Sequence, residues 1–343
     1  MQAGSLDLPN DLVLLPSPNM PNSSLDNDPK KGEKNMFSVP DYVFLIEHSM
    51  TGDNYIFDLG MRKDLENSPP AVVQNVLPNF RCFPTPPTVI LEEYGTTEQH
   101  PSTIKAAILS HLHFDHIGDF GRADFSNAEI WIGPSACTSA RPGYPADKKS
   151  EVFSDDLPKD DSKKIVEFKL PWSMLDSKRR IAIETAEEKG NYEGIEWHEP
   201  GSGWFGLGPF EAAFDLFNDG SAYIIDAPGH AAGHQMLLLR VKTGSIDAVD
   251  DFILLAGDCY HHPAMRDDPL LTARPPFSKS SMHVDPEAAI DTMFRVRRCA
   301  EEENIWVVAA HDFLIGDSIS PRTDAVKGLV LLTDWHEKGW KRQ

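Results

Sequence analysis

A layered α/β sandwich is the fold class this sequence predicts, on three observations. Four apolar runs of strand length each lead into a ligand-type side chain: Ile104–Leu109 before His111, Ala222–Ile225 before His230, Phe252–Ala256 before Asp258, and Ile305–Ala309 before His311. Runs of that length read as buried strands. A helix start stands between the last two, where Asp285 supplies a cap and Pro286 the first turn, with Ala289, Met293 and Val296 at helical spacing behind them. Strands mixed with helices, and strand ends carrying polar groups, belong to layers packed around a shared core.

Taken in order, residues 1–35 carry Pro9, Pro16, Pro18, Pro21 and Pro29, which interrupt any period. They read as an N-terminal extension of loop or wrapped coil, assigned to 1–40, ahead of a single catalytic domain over 41–343. Tyr42–Ile46 and Asn54–Asp58 flank a turn at Gly52-Asp53 and predict a hairpin. Thr88–Leu91 reads as another short strand. Phe210–Phe217 and Ser221–Ile225 flank Asn218-Asp219-Gly220, a second hairpin. Residues 147–200 hold 14 acidic and 10 basic side chains. They predict a solvated, charged insertion over about 138–203, since charge runs lie in solvent. Trp204–Phe210, aromatic and rich in glycine, predicts packing at a hairpin start ahead of a pocket wall.

The 343 residues carry 53 acidic and 32 basic side chains, a formal net charge of -21. That balance repels polyanions and anionic lipid surfaces, so neither nucleic acid nor membrane is an expected partner. A small-molecule substrate is expected, with the oligomeric state open. Four cysteines do not make a disulfide framework, and no secretory signal or membrane-length apolar run stands out. The expected location is cytoplasmic.

The chemistry is concentrated in Ser110-His111-Leu112-His113-Phe114-Asp115-His116-Ile117-Gly118. His111, His113 and Asp115 share one side of an extended chain, and His116 joins them if the chain turns. Imidazole nitrogen and carboxylate oxygen are ligands of zinc and similar divalent ions. Three histidines packed side by side without an ion would be costly. His230, Asp258 and His311 stand at the ends of the other strands, and strand ends on one sheet edge converge in space.

The motifs His-x-His-x-Asp-His, Pro-Gly-His, Gly-Asp and a late histidine, in this order, resemble the metallo-β-lactamase superfamily. Asp58-Leu59-Gly60-Met61 is similar to the Asp-x-Gly-Met turn of its N-acyl homoserine lactone lactonase branch, and Pro228–Gln235 to that branch's Pro-Gly-His element. The resemblance covers roughly residues 41–320. It implies an αββα metallo-β-lactamase-type sandwich, two β-sheets packed between helices. It also implies two divalent metal ions, zinc in the first place. His111, His113 and His230 would hold one; Asp115, His116 and His311 the other; Asp258 would bridge them, with a hydroxide between. Asp115 or Asp258 is then the proton acceptor. Lactonases of that branch carry a tyrosine three residues after the bridging aspartate. Here Tyr260 is two after Asp258 and His261 is third, so the helper at the substrate carbonyl is Tyr260, His261 or neither. His234 is expected to orient a neighbour, and Cys259 to be inert.

The expected activity is hydrolysis of a cyclic ester or amide. A thioesterase would use the same site, but its phosphorylated carriers want a basic rim that this composition lacks. A mononuclear iron sulfur dioxygenase needs only two histidines and one aspartate, which leaves Asp115, His116 and His311 unexplained. A non-catalytic metal-binding scaffold would not need a complete set.

Overall fold

The computed structural model describes residues 1–15, 35–119, 125–201, 203–244, 249–320 and 326–341. The sandwich is built on two six-stranded sheets. One runs in the order β3 (Phe44–His48), β4 (Asp53–Phe57), β6 (Ile104–Ile108), β7 (Glu129–Ile132), β8 (Ile165–Phe168), β9 (Ile195–His198). Its first pair is the antiparallel hairpin read from the sequence, and the remaining neighbours are parallel. The other sheet keeps chain order: β10 (Phe205–Leu207), β11 (Phe210–Asp215), β12 (Ala222–Asp226), β13 (Gln235–Lys242), β14 (Asp251–Leu255), β15 (Ile305–Val308). Only its last pair is parallel.

The sheets face each other through Phe57, Ile108 and Phe168 on one side and Phe214, Ile224, Leu237 and Leu255 on the other. Outside the first sheet, Ile56, Ala107 and Ile130 pack against Ile90 and Leu91 of the helix Pro87–Tyr94. Outside the second, Ile225, Met236, Leu254 and Val307 pack against Ala289, Ile290, Met293 and Val296 of the helix Pro286–Ala300. Asp285 caps that helix by accepting from the Ala288 N–H, as its sequence predicts. The order of layers is therefore helix, sheet, sheet, helix. Among the described residues no helix is long and apolar enough to cross a membrane.

Three expectations change. Gln2–Pro9 is not coil but β1, the centre of a small third sheet between β2 (Met36–Tyr42) and β5 (Arg81–Pro84). Leu6 and Leu8 alternate with Asp7 and bury their side chains, a period-two signal too short to outweigh the prolines around it. Pro16, Pro18, Pro21 and Pro29 lie outside the described residues. Thr88–Leu91 is helical, because Pro87 occupies the first turn and a short apolar run has no period of its own. The charged stretch over 138–203 is only partly a surface insertion. β8 is buried throughout and, with β9, extends the first sheet. Its Glu167 carboxylate accepts the backbone N–H groups of Ser135 and Cys137, tying β8 to the segment after β7. Trp204 packs with Leu170, Leu175 and Ala212, in keeping with the packing reading.

Two stability measurements check this architecture. Leu6→Ala is expected to cost about 2–5 kcal/mol in urea unfolding, the range for a buried leucine; a loss below about 0.5 kcal/mol would return β1 to the surface. Burial raises the Glu167 carboxyl from 4.5 to about 7, against the two N–H groups that favour its charge. Below pH 4.5 both folded and unfolded forms hold the proton. Between there and pH 7 only the folded form does, so stability falls with rising pH by about 3 kcal/mol. Glu167→Gln should flatten that slope.

Candidate metal centre

The predicted ligands converge where the strands of both sheets end. β6 leads through Ser110, whose N–H donates to Asp58 Oδ1 at 2.6 Å, into His111. The chain then turns, with the His116 and Ile117 N–H groups donating to the His113 carbonyl. The turn parts what an extended chain would keep together. His111 and His113 face His230; Asp115 and His116 face Asp258 and His311. His230 follows β12 after Pro228-Gly229. Gly229 has φ +124°, and a Cβ there would stand 2.1 Å from the Ala289 amide nitrogen. Only glycine lets the loop lie this close to the helix Pro286–Ala300. Asp258 follows β14 through Gly257, and His311 follows β15.

The first set is a triangle of ring nitrogens. His111 Nε2 is 2.9 Å from His113 Nδ1, and His230 Nε2 is 3.1 Å from each of them. Burial holds His111 and His230 well below the usual imidazole range, neighbouring imidazoles adding to it, so both stay neutral. Their outer nitrogens are engaged elsewhere. His111 Nδ1 donates to Ser110 Oγ and His230 Nδ1 meets His283 Nδ1 at 3.3 Å. Neutral imidazoles whose outer nitrogens carry the proton turn lone pairs inward, and converging lone pairs are what a cation requires.

The second set surrounds one carboxylate. Asp258 Oδ1 lies 3.1 Å from His116 Nε2 and 3.2 Å from His311 Nε2. Its Oδ2 lies 3.5 Å from His230 Nε2 and 3.1 Å from His261 Nε2. Asp115 Oδ2 is 3.6 Å from His311 Nε2. Asp258 thus touches both sets. His116 Nε2 and Asp258 Oδ1 are buried without any hydrogen-bond partner, an omission tolerated where an ion takes the place of one. Against the penalty of burial, Asp258, Asp58 and Asp115 hold His116 well above its usual range, and Asp258 with Asp115 lifts His311 to about 9. Burial alone would raise the Asp258 carboxyl, but His116, His311 and His261 hold it well below the carboxylate range. The field of this set draws positive charge.

Nearby groups orient these side chains. Asp58 Oδ2 accepts from His116 Nδ1 at 2.9 Å, and the Pro40 carbonyl accepts from His311 Nδ1 at 2.8 Å. His234 donates to the Ala227 carbonyl and accepts from the Asp258 N–H, the orienting role expected of it. Tyr260 does not reach toward a substrate. Its buried hydroxyl donates to Asp312 Oδ2 at 3.0 Å, leaving no free donor for a carbonyl. His261 is the residue that faces the cluster. Cys259 is buried and its thiol is pushed above its usual range by that burial. The sequence did not reveal Asp41 or His283. Asp41 is buried beside the cluster with both oxygens unpartnered, and burial lifts its carboxyl to about 8 even though His311 and His116 lower it. His283 belongs to a second histidine group with His230 and His261. Both stand alone in sequence, with no ligand spacing to mark them. A cavity of about 590 Å³ lies elsewhere, lined by Phe44, Ile46, Leu239 and Val330 among others and by none of the cluster.

Residues 39–135 match the family model of the metallo-beta-lactamase superfamily. Gamma-lactamase MBL2 of Gibberella moniliformis is 30% identical over 210 residues, covering 60% of this chain and 70% of that protein. The chain belongs to the metallo-β-lactamase superfamily. It is also 30% identical over 329 residues to the cytochrome P450 monooxygenase mpaDE of Penicillium roqueforti, covering 89% of this chain but 33% of that protein. The chain thus spans about a third of the length of that relative. A solved N-acyl homoserine lactone hydrolase, holding N-hexanoyl-L-homoserine at its catalytic metal centre, shares the fold. Its TM-score is 0.56 at 18% identity, with 93% of this chain and 94% of that one covered.

The approach of Gly229 to the helix is the constraint most open to test. Gly229→Ala is expected to destabilise the fold by about 2 kcal/mol or more, from strain at positive φ and a clash with backbone. It should also lower ion retention by displacing His230. Thermal unfolding and metal analysis of the purified variant check both; wild-type ion content would separate the loop from the cluster.

Proposed function

We propose that the protein is a binuclear metallohydrolase that opens a cyclic ester or amide, a lactone or a lactam. The observation that carries this reading is the placement of Asp258, one oxygen toward each ligand set. His111, His113 and His230 would hold one ion, Asp115, His116 and His311 the second, with Asp258 between them. Bound there, zinc or a similar divalent pair supplies hydroxide near neutral pH and polarises the scissile carbonyl. The residues do the rest. Asp58, Ser110 and the Pro40 carbonyl fix the rings of His116, His111 and His311. Asp115, 6% exposed and so at the margin of the buried cluster, takes the proton that the attacking water loses. The reading places a single catalytic domain in the cytoplasm, in keeping with four cysteines that are all free.

The two gamma-lactamase relatives, MBL2 and FDB1 of Fusarium pseudograminearum, favour a ring amide. The completeness of the second set favours two ions over the single iron of a sulfur dioxygenase.

Metal analysis followed by a screen of lactones, lactams, esters and thioesters tests the reading. Two ions without turnover of any of these would reject it. His113→Ala should lose one ion and about a thousandfold in hydrolysis, from several kcal/mol of lost charge stabilisation, while the fold persists. Unchanged turnover in that variant would overturn the two-ion mechanism.

A further inference from the structure

One helix of the charged stretch reaches the loop that carries His230. The helix Ser177–Glu188 opens with Asp176 accepting from the Arg179 N–H, which sets its first turn. From that turn the Arg179 side chain runs inward. Its guanidinium makes two bonds to Asp226, Nη1 to Oδ2 at 2.6 Å and Nη2 to Oδ1 at 3.0 Å. Nη2 also donates to the Pro134 carbonyl at 3.2 Å. The Arg179 side chain is 16% exposed and that of Asp226 8%. A planar guanidinium that meets a carboxylate through two bonds fixes orientation as well as distance.

Asp226 and Pro134 belong to different sheets. Asp226 ends β12 in the second, and Pro134 stands two residues beyond β7 in the first. The triangle of ring nitrogens is divided in the same way: His111 and His113 follow β6 of the first sheet, and His230 follows β12 of the second. The loop with His230 leaves the second sheet at Asp226 and rejoins it at Gln235, the two being paired across β12 and β13. Its outer side rests on the helix Pro286–Ala300 and the residues before it. The Pro228 carbonyl accepts from Thr292 Oγ1, the Gly229 carbonyl from the Asp285 N–H and the His230 carbonyl from the Val284 N–H. At its trailing end the Gln235 N–H donates to the Ser110 carbonyl of the first sheet. Arg179 supplies the matching tie at the leading end.

We propose that Arg179 is a positioning residue for the ion of the first set, joining Asp226 to Pro134 so that His230 closes the triangle with His111 and His113. This rests on the binuclear reading and goes beyond it, since it gives a residue outside the ligand motifs a part in ion affinity. Charge and position act in opposite directions here. Through its charge, a guanidinium beside this loop repels a cation, so its loss for that reason alone would tighten binding. Its loss as a strut weakens binding, and at one site. The sign of the change therefore identifies the role.

The test is competition with a chelator for the zinc-loaded full chain, read as one affinity per ion, with thermal unfolding of the same samples. Arg179→Met is expected to weaken one ion by about ten- to a hundredfold, the range for residues that orient ligands, and to leave the other unchanged. Arg179→Lys keeps the charge without the paired bonds and should fall between that variant and the wild type. Lys178→Met is the control. The Lys178 pair with Asp285 is exposed, so its loss should alter neither affinity. In a His230→Ala background the same ion is already weakened, and Arg179→Met should add little to that loss.

Unchanged or tighter binding in Arg179→Met overturns the proposal. Equal weakening of both ions overturns it as well, since that marks an effect on the whole fold. So does a full additional loss on top of His230→Ala, because Arg179 would then act by another route. If Arg179→Met does not fold, Arg179→Met combined with Asp226→Leu decides by the same criteria, since it removes the pair without leaving a buried charge unpaired. Ion affinities are measured without substrate, so failure of every ring in the hydrolase screen leaves this result standing. A wild-type protein with one ion ends the binuclear reading; the positioning role then holds if His230→Ala and Arg179→Met both weaken that ion, and falls if either does not. A wild-type protein with no ion removes both.

Discussion

Asp258 meets both ligand sets because the edges of two sheets are stitched together beneath it. The Gln235 N–H donates to the Ser110 carbonyl, and the Gln235 side chain donates to Leu109, so β13 is fastened to the end of β6. The Ala310 N–H donates to Gly257, which aligns the loops after β14 and β15. The Asp58 N–H donates to Ile108, which brings the turn after β4 under His116. These backbone bonds bridge separate strand ends, and each sets where one ligand begins. A shift at any of them would move one nitrogen or oxygen relative to Asp258, and an ion site tolerates only a few tenths of an ångström.

Orientation is settled a step further out. A neutral imidazole has one proton and one lone pair, so tying one nitrogen determines what the other offers. Ser110 accepts from His111 in this way and leaves its far nitrogen to face the cluster, while Asp58 and the Pro40 carbonyl accept from His116 and His311 and fix how those rings are turned. His230 differs in that its outer nitrogen meets a ring nitrogen of His283 and not an oxygen.

The net charge of -21 has little to do with this centre. Asp115 and Asp258 are the only acids among the seven ligand candidates, and Asp58 and Asp41 stand behind them. The rest of the excess comes from the other acidic residues of the chain. It sets which partners approach, disfavouring polyanions, and leaves the local field at the cluster to four buried carboxylates and their imidazoles.

The layered sandwich, both hairpins and the capped helix at Asp285 were legible because each is written in a local period or a turn signal. His-x-His-x-Asp-His likewise marked four candidate ligands within six positions, and the structure brings them near His230, Asp258 and His311. β1 was not legible: two alternating leucines carry too little period against the prolines, and the strand is buried only because β2 and β5 pair with it. β8 was hidden by the charge around it, although its own four residues are buried. His283 and Asp41 have no signature at all, since their role comes from neighbours distant in the chain. Residue types and spacing determine which atoms can bind an ion. Folding determines which nitrogen of each ring faces inward, which of Tyr260 and His261 meets the cluster, and what stands behind them, because those depend on distances between segments that sequence order does not encode.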